Sequence, residues 1–218
     1  VNLTAVRDYD GIERRLILES LRIRDKIREL VGKPDGRVMD LGSGGGIPGI
    51  VLAIAIPEYS FTLLDATGKK VTFLRECIEA LGLENATAVQ GRAEELGHDI
   101  EWRSAFDLVT ARAVTSLSAL LELGLPFVQM KGWLVLPKGA DIEEAMTIAR
   151  KAAGKLVGTI VEASFLPVVG SLVDTRLVLV RKDNPTPGGF PRRVGLPAKA
   201  PLGTQQERQD RRVRRGKS

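Results

Sequence analysis

From Gly11 to about Leu30, the apolar residues Ile12, Leu16, Leu21, Ile23, Ile27 and Leu30 recur among arginines and glutamates, a spacing that predicts an amphipathic helix with an imperfect stripe. Lys33-Pro34-Asp35-Gly36 ends it, since neither Pro nor Gly continues a helix well. Arg37 to Leu41 then reads as a short strand, and a glycine-rich loop follows. A small apolar helix spans about Pro48 to Ile56, with Pro48 at its first position, where a missing N–H leaves nothing unpaired. Ser60 to Leu64 reads as a second strand, and Lys69 to Leu81 as a helix with Val71, Leu74, Ile78 and Leu81 on one face. Thr87 to Val89, Phe106 to Thr110 and Trp133 to Leu136 are further short β-rich runs. Helical stretches near Arg92 to Leu96, Thr115 to Phe127 and Asp141 to Leu156 separate or follow them. Strands alternating with helices imply repeated βαβ units, hence an α/β fold with a doubly wound, mainly parallel sheet. Thr159 to Val169 and Asp174 to Arg181 break the rhythm. Gly170 and Ser171 lie between them, too short a link for a helical crossover, so this pair is expected to be antiparallel and to close the sheet.

The 218 residues suffice for one main globular unit with a substantial core. Within it, residues 1–36 form a helical segment, 37–182 the main domain, and 183–203 a Pro/Gly-rich basic extension. Residues 204–218 are polar, Arg-rich and without apolar period, and are expected to be disordered in isolation. The longest apolar run, Ile47 to Ile56, is well short of the roughly 20 residues that cross a bilayer, so no membrane association is expected. The start, VNLTAVRD, lacks the basic-then-apolar pattern of a secretion signal, and a single cysteine, Cys77, cannot form an internal disulfide. A cytoplasmic location follows as an expectation. The net charge of +5 is unevenly spread: from Arg181 onward there are 11 Lys and Arg against 3 Asp and Glu, whereas the preceding 180 residues hold 21 against 24. A basic end of this kind draws in polyanions, unless it is only a solvated tail.

Asp40 to Gly49, DLGSGGGIPG, carries the chemistry. A strand, a glycine-rich turn and a helix in that order make a nucleotide-type site, because absent Cβ atoms let a ligand lie against the main chain. Two registers compete. Gly44 to Gly49 satisfies GxGxxG, the dinucleotide pattern, with Asp65 about 20 positions on to hold ribose hydroxyls, which would make the chain a dinucleotide-dependent oxidoreductase. Alternatively, Asp40 followed by Gly42, Gly44 and Gly46 gives an acid and GxGxG, the first motif of S-adenosylmethionine-dependent methyltransferases. An anion beside the loop suits a sulfonium ligand and opposes a pyrophosphate. The oxidoreductase reading also lacks a proton-handling residue: the one histidine, His98, lies in a Gly-His-Asp loop, and neither Tyr9 nor Tyr59 has a lysine four residues downstream.

Absences narrow the transfer. Asp107 to Ala113 has no Asn/Asp-Pro-Pro-aromatic tetrapeptide to grip an exocyclic amine, and Cys77, near the apolar face of a helix, is a poor nucleophile candidate. An acceptor that is nucleophilic without help remains. Guanine N7 qualifies, having a lone pair and no proton, so that alignment and exclusion of water replace a general base.

Several segments in order resemble the 16S rRNA guanine-N7 methyltransferases called RsmG or GidB: Asn2 to Asp8, DLGSGGGIPG, LLDATGKKVTFL, GRAEE, TARAV, Pro137-Lys138-Gly139 and FPRRVGLPAKAPL. The resemblance covers nearly the whole chain. It implies a class I S-adenosylmethionine-dependent methyltransferase (Rossmann-like) fold, with a seven-stranded, mainly parallel sheet bearing a C-terminal antiparallel strand. In that family further helices precede the NLT segment, so the resemblance implies a chain truncated at its start. One departure is Arg15 to Leu21, where the family usually has Arg-His-x-x-Asp-Ser-Leu; here Leu16 stands for the His and Glu19 for the Asp. By resemblance the cofactor contacts are Gly42 and Ile47, then Asp65-Ala66-Thr67, Ala93-Glu94 and Arg112, the last also facing the target guanine as the catalytic residue; Asp40, Gly44 and Gly46 complete the loop. Arg92, Lys69, Lys70, Lys138, Arg192, Arg193 and Lys199 form the RNA-facing set. The partner implied is 16S rRNA or the small ribosomal subunit, met by a monomer without a metal. A protein of another class, a ribosome-assembly factor that binds rRNA and keeps the fold without the activity, is the alternative.

Overall fold

The computed structural model describes residues 16–112, 115–139, 142–166, 175–207 and 209; the segment Asn2 to Asp8 and most of the Arg-rich end lie outside them. Helix α1 (Leu18–Val31) buries Ile23 and Ile27, two members of the stripe expected from Gly11 onward, and stops at Gly32, whose positive φ of 62° turns the chain out of the helix. The alternation that follows is β1 (Arg37–Leu41), α2 (Gly49–Ala55), β2 (Ser60–Asp65), α3 (Gly68–Ala80) and β3 (Ala86–Gln90). Next come α4 (Ala93–Leu96), β4 (Phe106–Thr110), α5 (Leu117–Gly124), β5 (Val128–Gly139) and α6 (Glu143–Lys155). Strands β6 (Gly158–Leu166) and β7 (Thr175–Lys182) and the short α7 (Leu196–Lys199) complete it.

The seven strands form one sheet in the order β3-β2-β1-β4-β5-β7-β6. β3 to β5 pair in parallel, and β7 enters antiparallel between β5 and β6, as the short link between the last two strands requires. Because successive residues of a strand face opposite sides, the sheet splits its apolar content between two layers. Met39, Val109, Leu134 and Leu136 pack under α5 and α6, whereas Val38, Leu108 and Val135 pack under Ile23 and Ile27 of α1 and Leu52 of α2. A smaller cluster of Ile50, Leu63, Val71, Leu74 and Ala88 seats α3.

Most elements match their sequence-based bounds within two residues; β5 is the clear exception, running eight residues beyond the expected Trp133 to Leu136. Its first half, Gln129-Met130-Lys131-Gly132, has no apolar alternation. It is bent at Lys131, whose φ is 67°, and the register against β4 shifts between Phe106 and Leu108. The ladder steps from Val128, opposite Phe106, to Trp133, opposite Leu108, so Gln129 to Gly132 bulge out of the β4 register.

The extension after Lys182 is bound to the body. Arg103 donates to the carbonyls of Phe190 (2.9 Å), Thr186 (2.6 Å) and Pro187 (3.2 Å), and His98, for which the sequence suggests no role, places Nε2 2.7 Å from the carbonyl of Pro191. Leu196, Ala200 and Leu202 are buried. Packing continues into the stretch expected to be a tail: Glu207 is buried and accepts the ammonium of Lys155 at 2.6 Å. The strongest of these anchors is Glu122, fully buried in α5. Its Oε1 accepts both Nε and the backbone N–H of Arg192 at 2.8 Å, and its Oε2 accepts Nη2 at 2.6 Å. Removing one partner of such a pair strands the other charge in a dry place. Glu122→Gln should therefore destabilise the chain by about 3–5 kcal/mol, read as a lowered urea midpoint, and should expose the extension to protease. An unchanged midpoint would show the pair to be energetically idle.

Candidate active site

The strand order places β1 between β2 and β4, with the following connections leaving to opposite sides of the sheet, the point at which doubly wound folds open a crevice at the carboxyl ends of their strands. Three of those ends carry the residues singled out in the sequence: Asp40 on β1, Asp65 on β2 and, two residues past β4, Arg112.

The loop after β1 is pinned from below. The N–H groups of Gly42 and Ser43 both donate to the carbonyl of Leu64, at 2.8 and 3.0 Å, and Gly46 donates to Ser43. Gly42, Gly44 and Gly46 all have positive φ, between 56° and 86°. Gly49, the first residue of α2, has a different reason to lack a side chain: a Cβ there would lie 2.2 Å from Leu63 Cδ2 and 2.6 Å from Asp40 Oδ2. That close approach brings the Gly49 N–H within 3.0 Å of Asp40 Oδ2. Pro48, expected as the first helical residue, precedes the helix by one position, and Ile47 is half-buried beside it.

Asp40 is almost fully enclosed, at 1% exposure. Burial pushes its carboxyl up to about 7, against the opposing hydrogen bonds from Gly49 and Ser43; neighbouring Asp65 adds to the rise, and Arg112 works against it. Asp40 lies opposite Thr110 in the β1–β4 register, and the Thr110 hydroxyl, fully buried, has no hydrogen-bond partner within the described residues. Asp65 is held from two sides, with Oδ2 accepting the Gly44 N–H at 3.0 Å and Oδ1 accepting the Thr67 N–H at 2.8 Å. Ala66 and Thr67 continue directly into α3. Ala93, as the first residue of α4, has no acceptor for its N–H within the helix. Glu94 beside it spends Oε1 on the Gly195 N–H, at 2.9 Å, tying this rim to the extension. Arg112 is about one-fifth exposed, and its Nη2 lies 3.2 Å from Glu19 Oε2. Glu19 is the residue standing where the resembling family has Asp; Leu16, at the family's His position, is buried in the core.

The expected RNA-facing set divides. Arg92, Lys69, Arg193 and Lys199 are exposed. Lys138 is half-buried at the end of β5, its ammonium donating to the Thr115 carbonyl at 3.2 Å, and burial lowers it to about 8. Lys70 leans over Asp65 at 3.7 Å. Arg192 is a correction: its guanidinium faces inward to Glu122 and the Ala200 carbonyl, so it is a structural anchor and not a surface cation. The signal for this in the sequence is Glu122, an acid inside a stretch of leucines that could be buried only with a partner. Arg103 and Thr110 were missed too, and neither stands out in the sequence, since their importance comes from what folds against them. Cys77 packs beside the α3 cluster, where burial raises its thiol and disfavours the thiolate. Among the described residues no group of His, Cys, Asp and Glu is placed to hold a metal, and no helix is long and apolar enough to cross a membrane.

A profile of the GidB family, described as rRNA small subunit methyltransferase G, matches residues 1–166. A ribosomal RNA small subunit methyltransferase G of Roseiflexus castenholzii is 40% identical over 202 residues, covering 93% of this chain and 84% of that one. The protein of the same name in Deinococcus radiodurans is 41% identical over 216 residues, covering 97% of this chain and 82% of its own. Among solved structures, a SAM dependent methyltransferase of Aquifex aeolicus superposes with a TM-score of 0.58 over 80% of this chain and 94% of that one, at 13% identity, a likeness of fold alone. The match across residues 1–166 and the two relatives at 40% identity or more together establish that this chain belongs to the rRNA small subunit methyltransferase G (GidB) family.

Proposed function

We propose that this chain transfers a methyl group from S-adenosylmethionine to N7 of a guanine in 16S rRNA. One observation carries the reading: Asp40 and Arg112 flank the glycine loop at the carboxyl ends of adjacent strands, and among the described residues nothing beside them is built as a nucleophile or a general base. Cys77 is held as a thiol on α3, and His98 is bonded to the extension. A site with donors and acids but no base suits an acceptor that gives up no proton.

The residues fit the cofactor. Asp65 closes the ribose side as an acceptor, the Ala93 N–H and Glu94 carboxylate suit the two polar edges of adenine, and the unpartnered Thr110 hydroxyl offers one further bond beside Asp40. When bound, S-adenosylmethionine supplies an electrophilic methyl on a sulfonium, and the N7 lone pair takes it with no proton transfer. Arg112 orients the guanine, with its planar donor fork aimed from the end of β4. The glycine loop and the α2 start exclude water by packing the backbone tightly around Asp40. Arg92, Lys69, Arg193 and Lys199 supply the exposed cations for the phosphate chain of a cytoplasmic rRNA target, which a monomer can reach. The dinucleotide reading is disfavoured, because Asp65 occupies the Gly44 amide that a pyrophosphate would need, and two carboxylates face the loop.

Three outcomes are expected. Incubated with S-adenosylmethionine and 16S rRNA from a strain lacking this methylation, the chain should add one methyl that mass mapping assigns to a guanine N7. Absence of incorporation into rRNA and into small subunits alike would favour an assembly factor without activity. Arg112→Ala should lower kcat by about a hundredfold while changing rRNA affinity by less than about threefold; comparable losses in both would make Arg112 a phosphate contact. The third outcome concerns pH. Since the fold raises Asp40 from 3.8 to about 7, its contribution to stability is fully present below about pH 4 and is lost as pH rises through 7. Its anionic form, which suits the sulfonium, appears over the same upper range. Cofactor affinity measured by calorimetry should therefore rise between pH 6 and 8, by up to about tenfold per pH unit below the midpoint, while the melting temperature of the free protein falls. Asp40→Asn should flatten both profiles.

A further inference from the structure

Arg112, two residues past β4, is met by a carboxylate from far earlier in the chain. Its counter-charge comes from α1, some ninety residues earlier, where Glu19 is buried to 6% exposure with Oε2 3.2 Å from Arg112 Nη2. The same oxygen accepts the hydroxyl of Thr175, also buried, the first residue of β7, at 3.2 Å. An acid in the first turn of a helix is ordinary, but it usually stands in water. This one is enclosed, and two elements remote in sequence meet on it.

Stability alone does not account for such a pair. A buried ion pair is commonly matched or exceeded by well-packed apolar residues of similar volume, and apolar packing is what the neighbouring positions use: Leu16 just before α1, Ile23 on it, Leu108 on β4 and Leu177 on β7. Charge supplies a reason. A guanidinium is always cationic, and in the proposed reaction positive charge moves from a sulfonium sulfur to a guanine ring beside it. An uncompensated Arg112 would repel both. With a carboxylate locked against it, the same planar group offers hydrogen-bond donors at little net charge.

We infer that Glu19, itself fixed by Thr175, is a positioning residue that orients the Arg112 guanidinium and neutralises it for the methyl-transfer step. This rests on the reading of Arg112 given above. Bond making and breaking are unchanged: a carbon–nitrogen bond forms at N7, the carbon–sulfur bond breaks, and its electron pair stays on sulfur.

Full-length Glu19→Gln, Glu19→Asp and Arg112→Ala, assayed on 16S rRNA from a strain lacking the modification, test it. Glu19→Gln should lower kcat by about tenfold or more with KM for rRNA changed by less than about threefold, and Glu19→Asp, which keeps the charge, should recover most of the loss. Removing the anion also takes a counter-charge from Arg112, which lowers Asp40, so the pH midpoint of cofactor affinity should shift downward in Glu19→Gln. If Glu19→Gln keeps wild-type kcat while Arg112→Ala does not, the inference falls and the functional reading stands. If neither substitution affects transfer, the assignment of Arg112 falls as well. If Gln and Asp variants lose cofactor binding and thermal stability equally, Glu19 is only a structural contact, and the inference is overturned.

Discussion

The geometry around the glycine loop depends on one carboxylate being kept out of water. Asp40 is the last residue but one of β1, and the chain is arranged to enclose it: Gly49 gives up its side chain so that α2 can close to hydrogen-bond distance, and Ser43 turns its hydroxyl onto the Asp40 carbonyl. The cost is borne as a carboxyl that holds its proton nearly to neutrality. An acid so enclosed is poorly placed for structure and well placed for a cation that arrives later, because its charge is restored by a partner of opposite sign. The surrounding carboxylates and guanidinium are set around it in the same way, with Asp65 on one side, Arg112 on the other, and Glu19 behind Arg112.

The parallel half of the sheet was legible because its strands are buried on both faces. Arg37 to Leu41 and Phe106 to Thr110 were bounded correctly by their apolar content, and the loop between β1 and α2 declared itself through glycines. β5 was read at a third of its length, since its first half carries a bulge from Gln129 to Gly132 that breaks the apolar alternation. Site residues followed the same division. Asp40, Asp65 and Arg112 sit at strand ends, which sequence can locate. Arg192 was misread and Glu19 left without a partner because ion pairs across seventy or more residues are decided by tertiary packing.

Likeness of fold and likeness of family speak to different things here. The Aquifex protein shares the sheet at 13% identity, which fixes the position of the crevice and nothing of its chemistry. The relatives at about two-fifths identity extend past the sheet into the extension, and it is there that this chain ties the start of α4, through Glu94 and Gly195, to the segment bearing Arg193 and Lys199. The α4 end of the crevice and the exposed cations of the extension are thus mechanically continuous.

The placing of β7 between β5 and β6 also bears on how the molecule is made. Synthesis delivers β6 before the strand that it pairs with, so β6 has no partner in the sheet until β7 has emerged and inserted. The hydroxyl that steadies Glu19 belongs to the first residue of β7, and the arginine that neutralises Glu122 comes later still. A nascent chain can therefore assemble the crevice floor from β1 to β4 before Thr175 has reached Glu19 or Arg192 has reached Glu122, so two buried carboxylates of the early helices wait for partners that are made later.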